Sequence, residues 1–211
     1  MTGIVLAGGR GLRLGRPKAL EVIGGGDSLL SRVVSRLKVV CSEIIVVTTE
    51  DQTRDIVLSR IEASVVSDII PNRGPLGGLY TGLQHSKNEL NIAVACDMPF
   101  LNAGLLNYLV SLTPGWDIVA PRINGLTEQL HTVYTKKCAG AANQLVRLGR
   151  CRVADLFLML KTRYVDEPEL RKYDPELISF FNINTEADLS RARTLIGWEA
   201  LTGGKDKGVT L

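Results

Sequence analysis

Gly3-Ile4-Val5-Leu6-Ala7-Gly8-Gly9-Arg10-Gly11-Leu12-Arg13-Leu14-Gly15-Arg16-Pro17-Lys18 opens the chain with an apolar run that breaks into a glycine-rich loop. The run Gly3 to Leu6 reads as a buried first strand. The loop behind it carries four cations, and no acidic residue precedes Glu21. Glycines let backbone N–H groups approach a polyphosphate closely, and Arg and Lys favour phosphate oxygens as partners. The stretch is therefore built to hold an anion. It is neither of the two common phosphate loops. The Walker spacing fails because Pro17 precedes Lys18 and Ala19 follows it, and the dinucleotide fingerprint fails because Leu14 stands where a third glycine belongs.

Outward from this strand the apolar pattern alternates between strand and helix. Asp27 or Ser28 can cap a helix striped by Leu29, Leu30, Val33, Val34 and Leu37. Ile44 to Val47 predicts a second buried strand, Thr53 to about Ile61 a helix, and Val65-Val66 a short strand. The segment Asp68 to Gly78 reads as a loop and Leu79 to Ser86 as a helix, ahead of a strand over Asn91 to Ala95. In the second half, Asn102 caps a helix to Leu112, and Asp117 to Ala120 and Leu130 to Tyr134 predict strands. Lys136 to Leu148 and Arg152 to Leu160 predict helices, Arg163 to Val165 an edge strand, and Glu186 to Leu195 a helix capped near Thr185. Such alternation implies an α/β fold, a mainly parallel sheet with helices on both faces. A single domain is expected over residues 1–200, with a mobile tail over 201–211.

Composition narrows the function. The chain has 211 residues, 45% of them hydrophobic, enough for one sizeable core. A net charge of +3 without a basic stripe argues against nucleic-acid binding. No apolar run approaches the roughly 20 residues of a membrane span, so a cytoplasmic protein is expected. Cys41, Cys96, Cys138 and Cys151 form no Cys-x-x-Cys pair and read as free thiols, and two histidines are too few for a histidine-rich metal centre.

Two further constellations carry chemistry. Asp97 follows the strand at Asn91 to Ala95, at the end where open α/β sheets bind ligands. A carboxylate in such apolar company needs a partner, and Mg2+ bridging phosphate oxygens supplies one; a turn cap is the simpler alternative. In the loop that begins at Asp68, Gly77 and Gly78 leave room for a base or ribose, and Asp68 can accept from ribose hydroxyls or a guanine edge. Taken alone, those glycines read equally as turn punctuation.

The motifs together resemble the molybdenum cofactor guanylyltransferases, the MobA-like nucleotidyltransferases. Leu6-Ala7-Gly8-Gly9, Arg13-Leu14-Gly15 with Lys18, Gly74-Pro75-Leu76 with Gly78, Cys96-Asp97-Met98-Pro99-Phe100-Leu101, Leu130-His131 with Val133-Tyr134, and Phe181-Asn182-Ile183-Asn184-Thr185 with Asp188-Leu189 occur in the family's order. The resemblance implies a Rossmann-like three-layer sandwich of the nucleotide-diphospho-sugar transferase type. It implies transfer of GMP from GTP to the terminal phosphate of molybdopterin, with release of pyrophosphate. It assigns nucleotide contacts to Leu6, Ala7, Gly8, Gly9, Lys18, Asp68, Gly74, Pro75, Leu76, Gly78 and Asp97, and Mg2+ to Asp97. Arg13 and Lys18 would clamp phosphates. Asn182 and Asn184 are implied at the reaction or the pterin, and Arg122, Gly125, Gln129 and His131 are expected to face the acceptor, although His131 reads equally as a sheet histidine. Molybdoenzyme apo-proteins or cofactor-delivery proteins are the expected further partners.

Pro17 stands where the family often has Asp, as it does in cytidylyltransferases of related fold. The residues thus leave open a cytidylyltransferase acting on molybdopterin or a small polyol phosphate. A catalytically silent nucleotide-binding cofactor chaperone is the rival from another class.

Overall fold

The computed structural model of the chain describes residues 1–8, 18–24, 26–59 and 61–202. Gly9, Arg13 and the tail from 203 lie outside the described residues. The first half runs through β1 (Thr2–Leu6), a 3₁₀ turn (Lys18–Leu20), β2 (Val22–Gly24), β3 (Asp27–Ser28), α1 (Leu29–Lys38), β4 (Glu43–Thr48), α2 (Glu50–Leu58), β5 (Ser64–Ser67), α3 (Gly74–His85), β6 (Leu90–Ala95) and α4 (Ala103–Ser111). The second half adds β7 (Ile118–Ile123), β8 (Leu126–Thr127), β9 (Thr132–Thr135), α5 (Cys138–Arg147), a 3₁₀ turn (Val153–Leu158), β10 (Thr162–Asp166), α6 (Glu167–Leu170), a 3₁₀ turn (Ile178–Phe180) and α7 (Glu186–Thr202). No helix among the described residues is long and apolar enough to cross a membrane.

The strands β10-β7-β9-β6-β1-β4-β5 form one sheet, with β8 paired to β7. β1 lies between β4 and β6 and runs parallel to both. β9 is antiparallel to each of its neighbours, β6 and β7. Strand alternation sends successive side chains to opposite faces. Ile4, Ile45, Val47 and Ala93 thus meet α3 and α5 through Leu76, Leu79, Leu83, Ala142 and Leu145. Val5, Val46, Ile92 and Val94 meet α1 and α4 through Leu30, Val33, Leu37, Leu105 and Leu109. Helices therefore cover both faces, and the apolar runs at Ile44 to Val47 and Ile92 to Val94 are continuous because both faces of those strands are buried. Each fully buried aliphatic side chain contributes about 1.5–3 kcal/mol.

Local signals set most element starts. Ser28 Oγ accepts from Ser31 N at 3.1 Å and starts α1, and Asn102 Oδ1 accepts from Leu105 N at 2.9 Å and starts α4. Thr185 and Asp188 form a reciprocal capping box on α7: Asp188 N donates to Thr185 Oγ1 at 3.1 Å, and Thr185 N donates to Asp188 Oδ2 at 2.9 Å. Other boundaries differ from the sequence expectation. α2 starts at Glu50, three residues before the expected Thr53. α3 starts at Gly74, with Pro75 in its first turn, where a missing N–H is harmless, so Gly77 and Gly78 lie inside a helix. A Cβ on Gly78 would sit 3.2 Å from Leu6 Cδ2, and one on Gly82 would sit 2.4 Å from Ile4 Cγ2. These glycines let the helix approach the sheet. The segment expected as a helix over Arg152 to Leu160 is a 3₁₀ turn, β9 begins only at Thr132, and α7 continues to Thr202.

A third apolar cluster joins Ile23 of β2, Leu29, Phe100 after β6, and Ile183, Leu189 and Ala192 around the start of α7. It pulls the chain's last helix onto the end of β6. Ile183 is fully buried in it, and the flanking Asn182 and Asn184 are not.

Candidate functional site

The chain lays β4 and β5 on one side of β1 and β6 on the other, so the carboxyl ends of β1 and β6 border a topological switch point, the usual ligand crevice of such sheets. Leu6-Ala7-Gly8 and Cys96-Asp97 leave the sheet there side by side, with Cys96 N donating to Leu6 O at 3.1 Å and Ala7 N to Val47 O at 2.8 Å.

Three side chains remote in sequence converge on this point. Lys18 Nζ lies 2.6 Å from Asp97 Oδ2 and 2.9 Å from Asn184 Oδ1. Ile183 N donates to Asp97 O at 3.1 Å, which ties the Asn182 to Asn184 segment to the residue after β6. The Lys18 and Asp97 side chains are 14% and 18% exposed. At an effective dielectric near 20 such a pair gains roughly 6 kcal/mol of Coulomb energy, most of which offsets desolvation. Asp97 Oδ1 is buried and has no hydrogen-bond partner among the described residues. An unpartnered carboxylate oxygen at the carboxyl edge of such a sheet is a donor for a hard cation. Among the described residues no cluster of three or more His, Cys, Asp or Glu could hold a metal. A cation on Asp97 would therefore draw its other ligands from phosphate and water, as Mg2+ commonly does. Cys96 takes no part as a nucleophile, since burial, reinforced by Asp97, pushes its thiol up to about 12.

Asp68 stands at the carboxyl end of β5, its N–H donating to Thr48 O at 2.9 Å. Its Oδ1 accepts from Thr81 Oγ1 at 2.7 Å and Ile70 N at 3.3 Å, and its Oδ2 lies 3.3 Å from where a Cβ on Gly77 would project. Thr81, which orients Asp68, carried no motif, because it is a core-facing residue of α3. The Gly77 and Gly78 contacts explain those residues by packing: Gly78 faces Leu6, and Gly77 faces Arg73 and Asp68 rather than an open base pocket. Gly74 and Pro75 are exposed at the start of the same helix, and Leu76 is buried.

On the expected acceptor side, Arg122 lies near the carboxyl end of β7 on the same edge of the sheet as Asp97, because β7 and β6 are each antiparallel to β9. Its guanidinium is engaged bidentately by Asp166, Nε to Oδ1 at 2.7 Å and Nη2 to Oδ2 at 3.0 Å, and lies 5.4 Å from the Tyr164 ring centroid. Arg122 holds the Asp166 carboxyl below the usual range. Gly125 follows Asn124 with φ of 76° and 49°, the two left-handed residues of a tight hairpin turn, which accounts for it without a ligand. The Gln129 carbonyl accepts from the Tyr134 hydroxyl at 2.8 Å.

His131 does not face a substrate. It is 0% exposed, its ring centroid lies 4.4 Å from that of Phe180, and among the described residues neither ring nitrogen has a hydrogen-bond partner of ordinary geometry. The Ser179 backbone faces the ring without a bond of ordinary geometry. Burial pushes its pKa down to about 3. Below about pH 6.5 the unfolded chain thus takes up a proton that the folded one refuses, so stability is full above that pH and falls on acidification toward pH 3. His131 alone is expected to remove about 2 kcal/mol of unfolding free energy between pH 7 and pH 5. Urea melts at both values check this. The loss should shrink by that amount in His131→Phe, and an identical loss in parent and variant would refute the assignment.

Sequence reasoning passed over Asp174. It is buried, and its carboxylate accepts from Ile178 N at 3.1 Å and Ser179 N at 2.9 Å, building the turn that leads to Asn182. The Asp-Pro dipeptide at Asp174-Pro175 was the available turn signal.

Residues 3–159 match the MobA-like NTP transferase domain family. The chain is 34% identical over 194 residues to the probable molybdenum cofactor guanylyltransferase of Pelotomaculum thermopropionicum, covering 92% of each chain. It is 30% identical over 199 residues to the molybdenum cofactor guanylyltransferase of Desulfosudis oleivorans, covering 93% of this chain and 96% of that one. Among solved structures it is similar to molybdopterin-guanine dinucleotide biosynthesis protein A from Archaeoglobus fulgidus, with a TM-score of 0.81, 30% identity, and coverage of 94% of this chain and 100% of that one. It also shares the fold of 2-C-methyl-D-erythritol 4-phosphate cytidylyltransferase from Thermus thermophilus, with a TM-score of 0.69, 15% identity, and coverage of 92% and 98%.

Proposed function

The chain belongs to the MobA-like NTP transferase family, and from that membership we propose that it transfers GMP from GTP to the terminal phosphate of molybdopterin, releasing pyrophosphate. The observation that carries the reading is the convergence of Lys18, Asp97 and Asn184 at the switch point of the sheet.

A molybdopterin phosphate oxygen forms a bond to the α-phosphorus of GTP as the bond from that phosphorus to the β-phosphate oxygen breaks, and pyrophosphate takes the electron pair. The phosphate monoester is already anionic near pH 7, so the attacking oxygen needs no strong base. The barrier lies in bringing two anions together and in charge gathering on the leaving group, which cations and aligned N–H donors relieve. The ion pair keeps Lys18 and Asp97 neutralised until a polyanion exchanges with Asp97 for the ammonium. Lys18 then faces the phosphates, with the backbone N–H of Gly8 beside it and Arg13 assigned to the same clamp. Asp97 would hold Mg2+, its Oδ1 being the available donor. When bound, that ion neutralises charge on the reacting phosphates. Asp68 accepts from the nucleoside through Oδ2, and Asn182 and Asn184 meet the acceptor. The cytoplasm is the compartment of this reading, and molybdoenzyme apo-proteins or cofactor-delivery proteins receive the product.

The test mixes purified protein with Mg2+, molybdopterin and each nucleoside triphosphate in turn, and follows pyrophosphate together with product mass. Release with GTP, dependent on molybdopterin and giving a guanine dinucleotide, is the expected result. Release with CTP alone keeps the chemistry and replaces the base. Binding without release under any combination sinks the enzymatic reading.

A further inference from the structure

His131 is an unusual tenant for its site. Its φ of 146° lies in backbone space that side chains other than glycine rarely adopt. Its ring is fully buried, and among the described residues neither nitrogen has a hydrogen-bond partner of ordinary geometry. Backbone strain held at a buried ring marks a constraint on where that ring lies.

We propose that His131 is a positioning residue for the acceptor half of the site, its ring seating Phe180 and thereby setting the segment that carries Asn182 and Asn184 to Lys18 and Asp97. The inference rests on the reading above for the word acceptor. Its structural part stands on contacts alone. His131 directly precedes β9, whose Thr132 pairs with Ala93 of β6, so its backbone is referenced to the strand that presents Asp97. Its ring lies 4.4 Å from Phe180, tilted by 34°. Phe180 O accepts from Asn182 Nδ2 at 3.4 Å, Ile183 N donates to Asp97 O at 3.1 Å, and Asn184 Oδ1 accepts from Lys18 at 2.9 Å. Asp174 pins the beginning of the turn at Ile178 and Ser179, and Asn102 N donates to Ser179 Oγ at 3.1 Å. The aromatic contact thus sits between two fixed points, the Asp174 cap and the end of β6, and sets the height of the segment between them. A ring buried in this way touches no substrate and acts through Phe180.

The test compares His131→Ala, His131→Phe and Phe180→Ala with the parent, in the full chain, by amide hydrogen exchange over residues 180–184 and by GTP affinity, KM for molybdopterin and kcat. An aromatic pair of this kind corresponds to about a tenfold effect. His131→Ala and Phe180→Ala should each speed exchange over 180–184 about tenfold and raise KM for molybdopterin about tenfold, with GTP affinity unchanged. His131→Phe, which keeps the ring, should return both to near the parent values. Unaltered exchange in the two alanine variants overturns the proposal, as does a His131→Phe variant as impaired as His131→Ala. Faster exchange with an unmoved KM in a protein that does use molybdopterin overturns the acceptor role. A parent that never uses molybdopterin refutes the proposed function instead, and the exchange data still decide the seating of Phe180. Phe180→Ala also keeps the test open if His131→Ala fails to fold.

Discussion

Asp97→Asn is expected to lower kcat/KM for pyrophosphate release by about 10²–10³-fold, the range seen when one preorganised electrostatic contact to a transition state is removed. The substitution keeps the size of the side chain and an acceptor oxygen for Lys18 at the present 2.6 Å contact, so the local fold should survive. It removes the charge that a divalent cation requires at the orphaned Oδ1. The two halves of the ion pair make the result diagnostic. Lys18 loses its competitor, so GTP binding without Mg2+ should hold or tighten, whereas the gain in rate on adding Mg2+ should collapse. Calorimetric GTP titrations with and without the ion, set beside the rate of pyrophosphate release, read both effects. A variant as fast as the parent would mean that Asp97 merely anchors Lys18 and caps its turn.

The largest effect on stability should come from Gly82→Ala. Its Cβ would lie 2.4 Å from Ile4 Cγ2 and 3.1 Å from Ile4 Cδ1. Ile4 is fully buried in β1, between β4 and β6, and its Cγ2 sits at the branch point of a stiff side chain, so the sheet or the helix must move. Overpacking of this kind costs about 1–3 kcal/mol or more, against about 1 kcal/mol gained from helix propensity. So short an approach puts the cost at the upper end, about 3 kcal/mol, and a net loss of about 2 kcal/mol is expected, or about 4–8 °C in Tm for a chain of this size. Ile4→Ala removes the obstructing atoms, so the double variant should be no less stable than Ile4→Ala alone, a non-additivity that a double-mutant cycle isolates. Gly82→Ala with parental stability in denaturant melts would refute the close contact.

Part of the candidate site was legible before any fold was known. Asp97 follows an apolar run read as a buried strand, Asp68 follows the short strand at Val65-Val66, and Lys18 closes the glycine-rich loop behind the first strand; loops at the carboxyl ends of such strands are where ligands bind. For other residues the fold supplies a local reason that the motif alone does not show. Gly77 and Gly78 look the same in a turn and in a tightly packed helix, and only the 3.2 Å approach of Leu6 to Gly78 distinguishes the two. Gly125 belongs to a hairpin turn, and Arg122 is already bound by Asp166.

What the sequence determined by itself is what short windows encode. The alternating elements, the Ser28, Asn102 and Thr185 caps, the α/β class and the family motifs depend on residues within a few positions of one another, whose geometry follows from backbone periodicity and local hydrogen bonds. The tertiary structure decided burial and partnership. Lys18 meets Asp97 across 79 positions and Asn184 across 166, and no local pattern shows that these three form one cluster. His131 was open as ligand or sheet histidine until the fold covered it completely and set its ring against Phe180. Charge and hydrogen-bonding capacity are properties of a residue, but desolvation and proximity belong to the folded chain, and at this site they determine what each residue can do.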